Sequence, residues 1–365
     1  MDIEIARWRL RNQYLTSPHA GSAAAVVHHL LAVQAENPGQ SAWAVGTRTR
    51  AADPTDLAGL LASGEVLRTH VLRPTWHYVG RDDLDWLLAL TGPRVRRGPV
   101  AALRDQHGLG ASEQEQLTVA VTEFLTHEPD RTRTEVADHV RERFPAMAER
   151  LTSHVMMLVM ADAELDRWVC SGTPREGEHT YADFVTRVGL RTPPDQFDRD
   201  EALGRLALRY YTGHGPATVD DLAYWATLTL TDARRAVQAV RDRLESFEYD
   251  GRPWFHATGS PPDHDQQLAA HLLQVLDEMY RGYHLNTRWV LDAAGQVPRG
   301  REQAIGMALL DGQLVAGMKR QLTATTARFT LLPHRKLSRH EVVALTAAAD
   351  RYGAFLGLPA ELMIT

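Results

Sequence analysis

The stretch that most constrains the fold lies past the middle of the chain. GPATVDDLAYWATLTLTDARRAVQAVRDRL (215–244) runs into FEYDGRPWFHA (247–257). Apolar residues recur at helical spacing from Thr218, lapse at TLTL, and resume in a second helix with Thr231 or Asp232 as its N-cap. Tyr249-Asp250-Gly251 then joins two strand-like runs, and Asp-Gly in that position marks a tight hairpin. Two helices with a short break, followed by a hairpin, spell a helix-turn-helix with a wing.

The order recurs twice upstream in weaker form. AAAVVHHLLAVQ (23–34) reads as a helix stopped at Asn37-Pro38-Gly39, and DPTDLAGLLASG (53–64) as another that starts at Asp-Pro. EVLRTHVLRPTWHYVG (65–80) reads as two short strands broken at Pro74. Further on come TRTEVADHVRERF (132–144), with Thr134 as N-cap, the helical LTSHVMMLVMADAEL, and the short strand RWVCSG. Breaks near Gly110, at Thr192-Pro193-Pro194 and at Gly259-Ser260-Pro261-Pro262 divide the chain. The expected parts are winged-helix units at 1–110, 111–194 and 195–260, and a last domain at 261–365. In that domain AIGMALLDGQLVAGMKRQLTATTARFTLLP (304–333) alternates apolar and polar residues about an Asp311-Gly312 turn, as a small barrel-like sheet would. A helix at 338–357 follows, with Ser338 and Glu341 in capping-box spacing. The expected class is α+β, mainly helical with small β elements.

Composition excludes several functions. No apolar run approaches the ~18 residues of a membrane span. MDIEIARWRLRNQYL has early acids and lacks the apolar core of a signal peptide. Cys170 is the single cysteine, so no internal disulfide or Cys-rich metal site can form. Together these point to a cytoplasmic protein. Net charge is -6, which argues against bulk coating of nucleic acid. Of 40 basic residues, however, only Lys319 and Lys336 are lysine. Arginine suits bidentate phosphate contacts, although a compositional bias of the genome would leave the same imprint. No His-Glu-x-x-His helix occurs, and His264 and His271 lie seven apart on a helical pattern with no acidic partner in register. No metal is expected. Phosphate-cradling glycine loops and G-x-S-x-G are also missing, so no cofactor is implied.

Two constellations remain. Gln34-Ala35-Glu36 stands where a helix stops. If the chain is extended there, residues i and i+2 project together and present an amide beside a carboxylate. An amide can orient a water, and a carboxylate can activate it or stabilise a sugar cation as an N-glycosidic bond breaks. Polar residues at a helix end meeting solvent would look the same. The second constellation is Arg68-Thr69-His70 with Arg73-Pro74-Thr75-Trp76-His77. Its arginines suit phosphates, its threonine and histidine a water or leaving group, and its indole a base. An ordinary half-exposed hairpin is the alternative.

Over nearly its whole length the chain resembles the AlkZ/YcaQ-like family of winged-helix DNA glycosylases. RLRNQYL is similar to the family's opening. LLAVQAENPGQSAWAVGTRT is similar to its glutamine-motif helix and the arginine segment after it, which adds Arg48 as a pocket or DNA contact. VLRTHVLRPTWHYV resembles its Arg-Thr and Thr-x-His stretch, and CSGTPREGEHTYA, RYYTGHGPATVDDLAYWATLTLTDAR, HLLQVLDEMYRGY and LLDGQLVAGMKR resemble later landmarks. The resemblance implies three tandem winged helices and a C-terminal β-barrel around a DNA-binding channel. It also implies cofactor-free N-glycosylase activity on bulky N7-alkylpurines and interstrand crosslinks.

The family's catalytic pair is Gln-Φ-Gln or Gln-Φ-Asp, where Φ is aliphatic. Gln34 and Ala35 match, while Glu36 keeps a carboxylate on one more methylene, about 1.2–1.5 Å of extra reach. Thr75 and His77 match Thr-x-His, but Pro74 replaces the usual glycine. By this resemblance Gln34 positions water and Glu36 activates it or stabilises the sugar cation, Thr75 and His77 shape the pocket, and Arg68 and Arg73 hold flanking phosphates. The expected partner is alkylated or crosslinked double-stranded DNA, bound by a nucleoid-associated monomer with no membrane contact. A non-catalytic DNA-binding regulator or lesion sensor is the alternative, and a set of protein-interaction modules a third reading.

Overall fold

The computed structural model describes residues 1–257, 259, 262, 268–297 and 306–365. It is a mixed α/β chain that forms two compact units. The first gathers residues 1–57, 204–225 and 230–365, and the second holds 58–203 and 226–229. The breaks expected at 110, 194 and 260 are not where these units part, because the first unit is assembled from three separated pieces of chain.

The first unit is organised by a five-stranded sheet that curls into a half-barrel. Strands Ala270–Leu273, Gly306–Leu310, Gln313–Leu322 and Ala327–Pro333 pair antiparallel in sequence order. Asp311 and Gly312, both with positive φ, make the tight turn that joins the second strand to the third. The last strand, Ala360–Ile364, pairs parallel to Ala327–Pro333, which requires a crossover. The helix Arg339–Leu356 supplies it, held at its start by the reciprocal Ser338–Glu341 capping box. Its Tyr352 stacks on Trp43 at 4.4 Å between ring centres, and Phe329 and Phe355 complete that core. A second core joins Ile5 and Leu10 of the N-terminal helix to Trp254, Leu273 and Met279.

In the second unit, helices Ala111–His127, Arg133–Arg143 and Ser153–Leu165 close on Leu117, Val121, Val136, Met156 and Met160. Strands Arg131–Thr132, Thr180–Asp183 and Val169–Ser171 form a small antiparallel sheet in that spatial order. Strands Val66–His70 and Trp76–Gly80 form a hairpin that sets Thr69 opposite His77 and His70 opposite Trp76. The order helix, short pairing, two helices, ribbon occurs here at 111–183. It occurs again at 199–257, where helices Arg199–His214, Val219–Trp225 and Leu230–Ala239 lead into the hairpin Leu244–Tyr249/Arg252–Ala257.

Several local expectations need correction. The helix expected over 23–34 ends at Leu30. Leu31 takes φ 65°, and Ala32–Gln34 is a strand. Thr132, not Thr134, caps the helix at 133, because its hydroxyl and Glu135 answer each other's backbone N–H groups. The second helix after TLTL begins at Leu230, before the expected caps Thr231 and Asp232. His271 lies on a strand rather than a helix, and His264 falls outside the described residues. Among the described residues no helix is long and apolar enough to cross a membrane.

Candidate active site

The Gln-Ala-Glu motif owes its position to how the preceding helix ends. Ala23–Leu30 starts on the Ser22 hydroxyl, which accepts from Ala25 N–H at 3.2 Å. It stops when buried Leu31 adopts a positive φ that a branched side chain rarely takes. The following strand is short and wholly buried, and it ends on Gln34. The chain bends at Glu36 and enters the helix Pro38–Gly46, with proline at its first position. Alternation therefore does not extend through Glu36: Gln34 is buried and Glu36 is exposed.

What fixes Gln34 is the segment 274–283. Its N–H donates to Glu278 Oε1 at 3.0 Å, and its carbonyl accepts from Gln274 Nε2 at 3.3 Å. The other oxygen of Glu278 accepts from the Trp225 indole at 2.9 Å and pairs with His214 Nε2 at 3.2 Å. Glu278 and His214 are fully buried, and a carboxylate taken from water needs just such a full set of donors. Gly282 makes the arrangement possible, since a Cβ there would lie 2.8 Å from the His214 ring. The neighbouring Asp277 takes Arg48 bidentately, at 2.7 and 3.0 Å. Arg48 also donates to Gln13, Gln13 to the Tyr283 hydroxyl, and that hydroxyl to the His214 carbonyl, each within 2.9 Å. The ring of contacts closes back on Glu278. Arg9, also fully buried, lies 3.5 Å over Tyr283, 3.8 Å from Asp221, and donates to the Pro216 carbonyl.

This corrects the expectation for Arg48. It is 0% exposed and committed to Asp277, so it braces the floor beneath the motif and has no surface to offer DNA.

The second constellation lies in the second unit and is tied together by its own hairpin. His77 Nδ1 bonds the Thr75 carbonyl at 2.9 Å, and only an N–H can do so. Arg73 approaches Nε2 at 3.4 Å and can only donate, so the two contacts assign the Nδ1–H tautomer. Thr75 is half-buried, and Arg73 and His77 are buried. Arg68, half-buried, lies 4.1 Å over the Trp76 ring, the diagonal neighbour across the hairpin. Beneath sits Glu164, fully buried: one oxygen accepts from the Thr69 hydroxyl at 2.9 Å, and the other meets His70 Nδ1 at 2.6 Å. His179 packs edge-on to Trp76 and Tyr181. Burial, reinforced by Arg68, His70 and Arg133, holds its pKa well below the usual imidazole value. The structure thus brings Arg73, Thr75 and His77 together, with Arg68 and Trp76 as a separate pair.

Residues 27–355 match the family described as DNA glycosylase AlkZ-like. The chain belongs to the AlkZ-like DNA glycosylase family. Its AlkZ-like sequence is 26% identical over 284 residues to an interstrand DNA cross-link repair glycosylase of Streptomyces sahachiroi, covering 73% of this chain and 71% of that protein. Its AlkZ-like fold is similar to the solved Streptomyces sahachiroi DNA glycosylase AlkZ, with a TM-score of 0.78, 20% identity and 99% of each chain covered.

Sequence reasoning on this AlkZ-like chain missed Glu278 and His214 against the motif strand, and Glu164 against the hairpin. Each sits in an ordinary helical or turn context, and only its distant partners mark it. A signal was nonetheless present in the acids of LDEMYRGY and MADAEL, which stand in stretches otherwise apolar enough to be core.

Proposed function

We propose that the protein is a DNA N-glycosylase that cleaves bulky N7-alkylated purines, or interstrand crosslinks built on them, out of duplex DNA. The observation that carries this reading is Gln34. It stands at the family's motif position, on a strand whose backbone is held at both N–H and C=O. Alkylation at N7 makes the purine cationic, so the C1′–N9 bond breaks with its electron pair going to the base and needs little acid help. The Gln34 amide orients a water. The Glu36 carboxylate faces the developing sugar cation and takes the water's proton as oxygen bonds to C1′. Misplacement of such a group by ~1 Å can cost ~100-fold in rate, which is the reason for gripping the backbone of Gln34 from below.

The helix–helix–ribbon runs at 111–183 and 199–257 are read as winged helices, with a third at the N-terminus built on the 66–80 hairpin. On that hairpin Thr75, His77 and Arg73 form a pocket wall, and Arg68, flattened on Trp76, holds a phosphate. The protein acts as a monomer in the cytoplasm, at the nucleoid, and needs no cofactor.

The test is abasic-site formation by the purified protein on a duplex with one N7-methylguanine, and on a crosslinked duplex, for wild type and Glu36→Gln. The expected result is turnover that falls ~100-fold or more in the variant while duplex affinity stays within a few-fold. A rise would overturn the carboxylate mechanism, because glutamine is a common residue at this position of the family. Absence of abasic sites with both proteins and both duplexes would leave a DNA-binding protein without glycosylase activity.

A further inference from the structure

The first unit contains a second concavity, of about 840 Å3. It opens beside the C-terminal end of the Pro38–Gly46 helix and along the helix Arg339–Leu356. Its lining is electrically one-sided. His19, Arg50, His271, His340 and Arg351 contribute to it, and no carboxylate is among the described residues that do. Apolar wall comes from Trp43, Val343 and Phe355, and hydroxyls from Thr16, Ser17 and Thr47.

The cationic groups have little to satisfy them within the protein. Arg351 donates to the Ala270 carbonyl at 2.7 Å. Burial alone lowers its pKa, with no acidic neighbour pulling it back up. Neither Arg50 nor Arg351 forms an ion pair among the described residues, whereas Arg7, Arg48, Arg96, Arg143 and Arg335 each do. His271 is 7% exposed, and its buried Nε2 has no hydrogen-bond partner. Burial, then Arg351, Arg48 and His19, hold its pKa down to about 3, so at neutral pH it offers an uncharged imidazole. A buried ring nitrogen without a partner, in a concavity whose guanidinium groups have no carboxylate, is unusual in a finished core, where such groups find partners.

We propose that this concavity binds a nucleoside phosphate. Guanidinium groups match the phosphate oxygens bidentately, and a fixed imidazole adds a hydrogen bond. Hydroxyl side chains suit a sugar, and an aromatic and aliphatic wall suits a base. The volume falls in the range of small-molecule sites, ~300–1,000 Å3, and far exceeds what a bare phosphate would fill. The ligand has two possible sources, a free nucleotide or the phosphorylated end of a DNA strand. The site is separate from the Gln34 motif and stands whether or not that motif cleaves DNA.

Calorimetric titration of the full chain tests this with three probes: 2′-deoxyadenosine 5′-monophosphate, inorganic phosphate, and a 5′-phosphorylated thymidine pentamer. The mononucleotide is expected to bind at least tenfold more tightly than phosphate. The combined variant Arg50→Gln/Arg351→Gln should weaken it tenfold or more without altering the thermal melt or duplex cleavage. Val343→Glu, a separate change on an exposed helix position, should do the same by setting a carboxylate on the wall. A pentamer that binds more tightly than the mononucleotide, and is weakened equally by the variants, identifies a strand end. A pentamer that binds no better than the mononucleotide identifies free nucleotide. Equal binding of nucleotide and phosphate, no nucleotide binding at about 10 mM, or affinity unchanged in both variants would overturn the proposal.

Discussion

Two buried glutamates, one in each unit, anchor different things. In the first unit Glu278 grips main chain: it accepts the Gln34 N–H and satisfies an indole and an imidazole with its remaining oxygen. In the second, Glu164 grips side chains, the Thr69 hydroxyl and the His70 ring. A carboxylate bonded to a backbone N–H fixes where a residue sits and leaves its side chain free for other work. A carboxylate bonded to side chains consumes them, and what it stabilises is the surface they carry. The first arrangement fixes the position of the motif strand, and the second fixes the side chains of the hairpin that also carries Arg68, Trp76 and His77.

The largest effect that could break this contrast is expected from Glu278→Leu. It strands the Gln34 N–H, the Trp225 indole and His214 in a buried site, and should cost ~3–5 kcal/mol in denaturant unfolding. Glu278→Gln keeps part of the grip. It should lower kcat on an alkylated duplex by tenfold or more with duplex affinity unchanged, and a loss of affinity instead would erase the distinction. Glu164→Gln comes next, at ~1–3 kcal/mol, and should weaken duplex binding while sparing kcat, as read by fluorescence anisotropy and single-turnover cleavage.

Acid acts on the first unit through histidines that burial keeps neutral. His29, held to about 4 by burial, and His271, held to about 3, are neutral in the folded chain. Unfolded histidine titrates near pH ~6.5 and then binds the extra proton. Stability should therefore fall as pH drops from about 6.5 toward about 4, seen as a lower melting temperature and removed in part by His29→Gln. The smallest effect expected is that of Arg68→Gln, a reduction of the salt slope of duplex binding by about one, with no change in stability.

Features fixed by neighbours in sequence were legible. The Asp250-Gly251 hairpin and the Ser338–Glu341 capping box follow from backbone geometry that few residues supply, and both are present. Where local signals were ambivalent, the reading failed. LLAV fits a helix or a strand, and what decides is the positive φ of Leu31, a leucine that nothing nearby in sequence would single out. Family resemblance singles out Gln34 and Thr75–His77 as candidates in the sequence. Glu278 and Glu164 are illegible there, because their contacts are with residues 244 and 95 positions away. Arg48 shows the opposite error: an arginine in a motif suggested a ligand contact, and its partner proved to be Asp277, 229 residues distant.

That separation also sets an order in time. Residues 58–203 are contiguous apart from one short later insert and hold their own core, so they can collapse as soon as they leave the ribosome. Gln34 emerges earlier still, but Glu278 follows it by 244 residues, a delay of about 12–50 s at ~5–20 residues per second. Throughout that interval a nascent or prematurely terminated chain carries the motif without the carboxylate that fixes it. Synthesis of the last third of the protein is therefore the step that fixes the backbone of the motif near its start.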